Sequence, residues 1–185
     1  LQHQDGHSLV LASTVPAVQA YDPAFAFELG AIVKDGINRM YGPETPESER
    51  DVIYYITLYN ENYPMPALPD HPEPSAEFER GAVRGLYRWK PAPQGKTHSA
   101  TIVFSGISHQ AATIAANELA DHYDVGAELW SATSYKRLRE QALEVERSNR
   151  LHPSTPQEEP LVTQLLNDSL GPITAVSDFM RAVPE

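Results

Sequence analysis

Ala100-Thr101-Ile102-Val103-Phe104-Ser105-Gly106-Ile107-Ser108, a helical pattern running to Tyr123, and then Ala127-Glu128-Leu129-Trp130-Ser131 together decide the fold class. A β-branched and aromatic run, a Ser-Gly turn, an alanine-rich helix pattern and a second apolar run form a β-α-β unit, whose two strands lie parallel in one sheet. Ser108 stands where a helix cap is needed, and Ala112, Ala115, Ala116, Leu119 and Tyr123 share one helical face. The alternation then repeats. Thr133 or Ser134 caps a second helix carrying Leu138, Ala142 and Val145, and Pro172-Ile173-Thr174-Ala175-Val176 reads as a third strand. Ser177-Asp178 would cap one more helix, and Gly81 to Trp89 can form a short strand ahead of the first unit. This pattern is α/β, with a mainly parallel, doubly wound sheet.

Working outward towards the start, Asp22-Pro23 reads as a helix cap followed by a first-turn proline. Phe25, Leu29, Ile32, Val33, Ile37 and Met40 follow at helical spacing, and Tyr41-Gly42-Pro43 is a stop signal, so a helix is predicted over residues 23–41. Val52-Ile53-Tyr54-Tyr55-Ile56-Thr57-Leu58 does not alternate, and it reads as a strand buried on both faces. Pro64, Pro66, Pro69, Pro72 and Pro74 then make an extended stretch. The resulting division is a first unit at 1–63, a proline-rich linker at 64–78 and a second unit at 79–185.

Composition narrows the function classes. A formal net charge of −11 opposes a nucleic-acid partner, which would want a basic face. No apolar run has membrane-spanning length, no signal-peptide pattern is present, and the sequence contains no cysteine. Those features make the cytoplasm the expected location and exclude disulfides and thiolate metal sites. The chain opens on a dense polar cluster without an initiator Met and ends about a turn into its last predicted helix, so it reads as an excised segment.

That cluster, Gln2-His3-Gln4-Asp5-Gly6-His7-Ser8, is the densest concentration of candidate chemistry. His3, Asp5 and His7 could ligate a metal, or form a polar surface turn in which Asp5 and Ser8 satisfy backbone donors. They could equally line an active-site turn, with imidazoles that donate to a substrate carboxylate or move protons. His71, His98, His109, His122 and His152 read as structural or solvated. Ser105-Gly106-Ile107-Ser108 precedes a helix and so invites an anion, but it lacks the repeated glycines and the lysine of a phosphate loop. Tyr54, Tyr55 and Phe104 read as core residues.

Three motifs carry a resemblance. Gln2-His3-Gln4-Asp5-Gly6-His7-Ser8, Tyr21-Asp22-Pro23-Ala24-Phe25-Ala26-Phe27-Glu28, and Tyr54 to Thr57 with Asn60-Glu61-Asn62-Tyr63 and Met65-Pro66 resemble the single-chain, homodimeric bacterial pyruvate dehydrogenases. Ser131-Ala132-Thr133-Ser134-Tyr135 and Leu151-His152-Pro153 extend the likeness over nearly the whole chain. The resemblance implies transketolase-like architecture: the end of a thiamine-diphosphate-binding (pyrimidine) domain, then most of a transketolase-type C-terminal domain. It implies His3 as a catalytic residue beside substrate and cofactor, and Asp5 and His7 as substrate contacts. Gln4 departs from the Glu that relatives often carry.

The implied cofactors are thiamine diphosphate and Mg2+, both bound mainly by parts absent from this chain. The sequence has no Gly-Asp-Gly segment, and only Leu1 and Gln2 precede His3, which leaves no place for the glutamate that activates the aminopyrimidine. The isolated chain is accordingly expected to be inactive. The implied partners are pyruvate, the lipoyl domain of the acetyltransferase component within a multienzyme complex, and a second copy of the parent chain. Alternatives that stay open are a non-catalytic dimerisation or docking module, and a related 2-oxo-acid dehydrogenase or transketolase.

Overall fold

The computed structural model describes residues 5–68, 75–169 and 171–185. A short helix α1 (Ser8–Ser13) leads into β1 (Val18–Tyr21), α2 (Ala26–Tyr41) and β2 (Ile53–Ile56). β1 and β2 pair in parallel, with Val18 opposite Ile53 and Tyr21 opposite Ile56. An extended stretch follows, then α3 (Ser75–Arg84), β3 (Tyr87–Lys90), β4 (His98–Phe104) and α4 (His109–Tyr123). The chain closes with β5 (Val125–Ser131), α5 (Tyr135–Leu151), α6 (Leu161–Leu166) and β6 (Ile173–Val176). The second sheet has the order β3-β5-β4-β6, parallel throughout except for antiparallel β3.

β4 is one of the two inner strands, and its sequence explains why. Ile102 and Phe104 point into one apolar cluster, and Val103 points into the other. Helix α4 covers the first face through Ala112 and Ala116, whereas α5 covers the second through Leu138. Helices on both faces of a mainly parallel sheet are the doubly wound arrangement expected. The first cluster also takes in Ala24, Phe25 and Ala31 from the opening part of the chain. Phe25 lies 4.8 Å from Trp89 and 4.9 Å from His109 between ring centroids, so the two parts share a core. In the extended stretch, Tyr63 donates to the Ala24 carbonyl at 3.0 Å.

Several expectations need correction. β2 is not buried on both faces: Ile53 is 62% and Tyr55 38% exposed, because among the described residues the strand pairs with β1 alone and nothing covers the face that carries these two side chains. α2 starts at Ala26, capped by the Glu28 carboxylate reaching back to the Ala24 and Phe25 amides rather than by Asp22. Its buried face is Glu28, Ala31, Ile32 and Gly36, which leaves Val33 and Ile37 exposed. Ser75–Arg84 is helical, so the stretch read as linker includes the first turn of a helix and β3 begins only at Tyr87. Beyond β6 the chain turns, and no helix follows Ser177-Asp178 among the described residues. Ser134 caps α5 as predicted, accepting from the Arg137 amide at 3.2 Å, but Ser108 makes no such bond to α4.

Candidate functional site

Of the opening cluster, Asp5 and His7 are described, while His3 and Gln4 lie outside the described residues, as does His71. Asp5 Oδ1 accepts from the His7 amide at 3.0 Å and from the Ser8 amide at 2.9 Å, which closes a turn at the start of α1. The Ser8 side chain and these two amides hold the Asp5 carboxyl below its usual range. His7 is exposed. The turn is docked by the Gly6 carbonyl, which accepts from the Met180 amide at 3.1 Å. Met180 follows β6 by four residues, so Asp5 and His7 come together at the carboxyl edge of the larger sheet. In open α/β sheets that edge is where ligands bind.

A second polar group occupies the same edge. Asp22, directly after β1, is 2% exposed. Its Oδ1 accepts from Thr57 Oγ1 at 2.6 Å and from Tyr59 OH at 3.1 Å. Its amide donates to the Thr133 carbonyl at 2.8 Å, and its own carbonyl accepts from the Gly106 amide at 3.1 Å. One residue thus joins the exits of β1, β2, β4 and β5. Burial pushes the Asp22 carboxyl up, against the opposing pull of the Thr57, Ser105 and Tyr59 hydroxyls. Gly106 has φ +51, and a Cβ there would stand 2.5 Å from Tyr59 OH and 2.6 Å from Asp22 Oδ1. The Ser105-Gly106 turn therefore faces a carboxylate, which makes it unsuited to anions.

Glu28 is the most enclosed acid, at 0% exposure. Its Oε2 accepts from the Ala24 and Phe25 amides at 2.6 and 3.0 Å, and its Oε1 from Tyr87 OH and Ser131 Oγ at 2.6 and 2.5 Å. Burial raises its pKa, and these four donors oppose the rise. With its acceptor sites engaged by protein donors, Glu28 joins the start of α2 to β3 and β5. The signal in the sequence was a glutamate at position i+3 from Phe25 and i−4 from Ile32, on the apolar side of a helix. His109 is also buried, donating from Nδ1 to the Gly106 carbonyl at 3.2 Å, with its pKa lowered by burial. His98, His122 and His152 are exposed.

The described residues do not fit a diphosphate or its metal. No group of three His, Asp or Glu side chains among them converges on one point. Glu28 and Asp22 Oδ1 are turned inward onto protein donors, Asp22 Oδ2 is buried with no donor against it, and the Asp5 carboxylate closes its own turn.

Residues 1–66 match the family described as "Pyruvate dehydrogenase E1 component middle domain". The whole chain is 46% identical to the pyruvate dehydrogenase E1 component of Mycolicibacterium smegmatis and equally to that of Mycobacterium tuberculosis. It spans 19% of the length of each of these curated relatives. Among solved structures, a transketolase mutant from Pichia stipitis superposes with a TM-score of 0.60 at 19% identity, covering 96% of this chain and 21% of that one. That likeness concerns the fold and confirms a transketolase-like α/β arrangement with a mainly parallel sheet. No described helix is long and apolar enough to cross a membrane. Along its entire length this chain is similar to a segment of proteins named pyruvate dehydrogenase E1 component, and over residues 1–66 it matches the middle-domain family as well.

Proposed function

We propose that this chain works as part of a cytoplasmic enzyme that oxidatively decarboxylates pyruvate with thiamine diphosphate and Mg2+ and passes the acetyl group to a lipoyl domain. The observation that carries this reading is the similarity over all 185 residues to proteins named pyruvate dehydrogenase E1 component. In this reading His3 is the catalytic residue, and Asp5 and His7 contact the substrate. The exposed His7 imidazole, next to a turn fixed by Asp5, supports that assignment, since an accessible imidazole can donate to a carboxylate and also move a proton. The diphosphate and the metal would be held by residues beyond the described ones, and the working unit would be a homodimer of the parent chain. By itself the chain would bind the cofactor weakly and would not turn over.

The test uses a polypeptide of the relatives' full extent that contains this chain. Pyruvate-dependent reduction of an artificial electron acceptor is measured with thiamine diphosphate and Mg2+, beside His3→Ala. The expected result is activity that needs both cofactors and falls about tenfold or more in the variant. Wild-type protein that reduces nothing with pyruvate would overturn the reading. Full activity in His3→Ala would remove His3 from the reaction while leaving the family assignment intact.

A further inference from the structure

Helix α1 has six residues, fewer than the roughly 12–15 at which an isolated helix holds in water. Its order therefore depends on what grips its ends. Asp5 serves the amide end. Just past the carbonyl end, where the chain passes from α1 into β1, Lys136 Nζ donates to the Val15 carbonyl at 2.7 Å and to the Val18 carbonyl at 2.5 Å, across 121 and 118 residues of sequence. The Lys136 side chain is only 4% exposed, and its third partner is Glu140 Oε1 at 3.0 Å. An ammonium has three donors, and here three acceptors meet it.

Neighbours of Lys136 at the start of α5 grip the same segment. Ser134 Oγ donates to the Ala20 carbonyl at 2.5 Å, and Arg137 donates to Gln19 Oε1 at 2.9 Å. The first turn of α5 thus holds residues 15–20. The short helix before them rests on Leu9, its only buried residue. The turn bearing Asp5 and His7 is the other end of that helix.

We infer that Lys136 is a positioning residue for the Asp5–His7 turn, fixing it from the far part of the chain by anchoring the exit of α1. The inference rests on the functional reading above. A displacement of about 1 Å at a reacting site commonly costs on the order of a hundredfold in rate, so an anchor of this kind acts on turnover without touching substrate.

The experiment compares wild type, Lys136→Met and Lys136→Arg in a polypeptide of the relatives' full extent. Amide hydrogen exchange is followed over residues 5–18, with β4 and β5 as the control for an intact fold, alongside steady-state kinetics with pyruvate. In Lys136→Met, exchange should rise about tenfold over α1 while β4 and β5 stay protected. Its kcat should fall about tenfold with a smaller change in KM, and Lys136→Arg should restore most of both. Unchanged exchange over α1 would overturn the inference, and so would faster exchange with unchanged kcat. If Lys136→Met fails to fold, Lys136→Gln takes its place with the same expected direction. A wild type inactive with pyruvate would sink the functional reading; exchange alone would then decide whether Lys136 holds the turn.

Discussion

The turn at residues 5–8 and the junction around Asp22 and Glu28 both rest on carboxylates, at opposite extremes of burial. Asp5 is exposed and serves amides two and three residues away, and the imidazole beside it faces solvent. Asp22 and Glu28 are enclosed and serve hydroxyls 35 to 103 residues away. A buried carboxylate oxygen engaged by hydroxyls from distant strands, as Glu28 Oε1 and Asp22 Oδ1 are, holds elements together. A group that stands free at a strand-end edge is left to meet something from outside. The difference teaches where to look for chemistry in this fold: among the accessible groups rather than the most perturbed ones.

The comparison breaks first at Glu28 if it is wrong. Glu28→Ala strands two amides, Tyr87 OH and Ser131 Oγ in a buried interior, and about 3–5 kcal/mol of stability should be lost in urea denaturation. A loss below about 1 kcal/mol would show that the junction does not hold the two parts together.

A smaller effect with a definite pH signature is expected at Asp22. Burial lifts its carboxyl above the ordinary 3.8, so the folded state keeps the proton more tightly than the unfolded one. The stability this contributes is fully present below about pH 3.8 and is lost as pH rises through the raised folded value. Asp22→Asn keeps an acceptor for Thr57 and Tyr59 but cannot ionise. Its cost relative to wild type should therefore be larger at about pH 4 than at about pH 7, measured as denaturation midpoints. An equal cost at both would mean that Asp22 does not change charge in that window.

The smallest effect sharpens the other side of the comparison. Asp5→Ala removes one local cap, and about 0.5–1 kcal/mol should be lost, confined to exchange within α1. A global loss as large as that of Glu28→Ala would place Asp5 with the structural acids.

How much could be read in advance followed the range of the interactions. α4 and α5 were legible because their alanine and leucine spacings follow one helical face, and β4, β5 and β6 because each is a short β-branched or apolar run bounded by turn residues. The brief α1, β1 and α6 were not, since four to six residues give too little periodicity to detect. Ser134 was recognised as a cap because capping is local, and the same local logic misread Asp22, a favourable cap residue type drawn instead to Thr57 and Tyr59. At the site, the motif brought out Asp5 and His7, but nothing near them in sequence pointed to Lys136.

By itself, then, the sequence determined the α/β class, the strand at 100–104 with the helices that follow, and the family resemblance, because each is written in residues close together or in motifs that survive as text. Only the tertiary structure decided which acids are structural, which face of α2 is buried, that Ile53 and Tyr55 of β2 are exposed, and that α5 reaches back to hold the opening segment. Those outcomes depend on which distant donors and apolar faces meet when the chain closes. A carboxylate's partners are fixed by that meeting in space, and residue order along the chain does not record it.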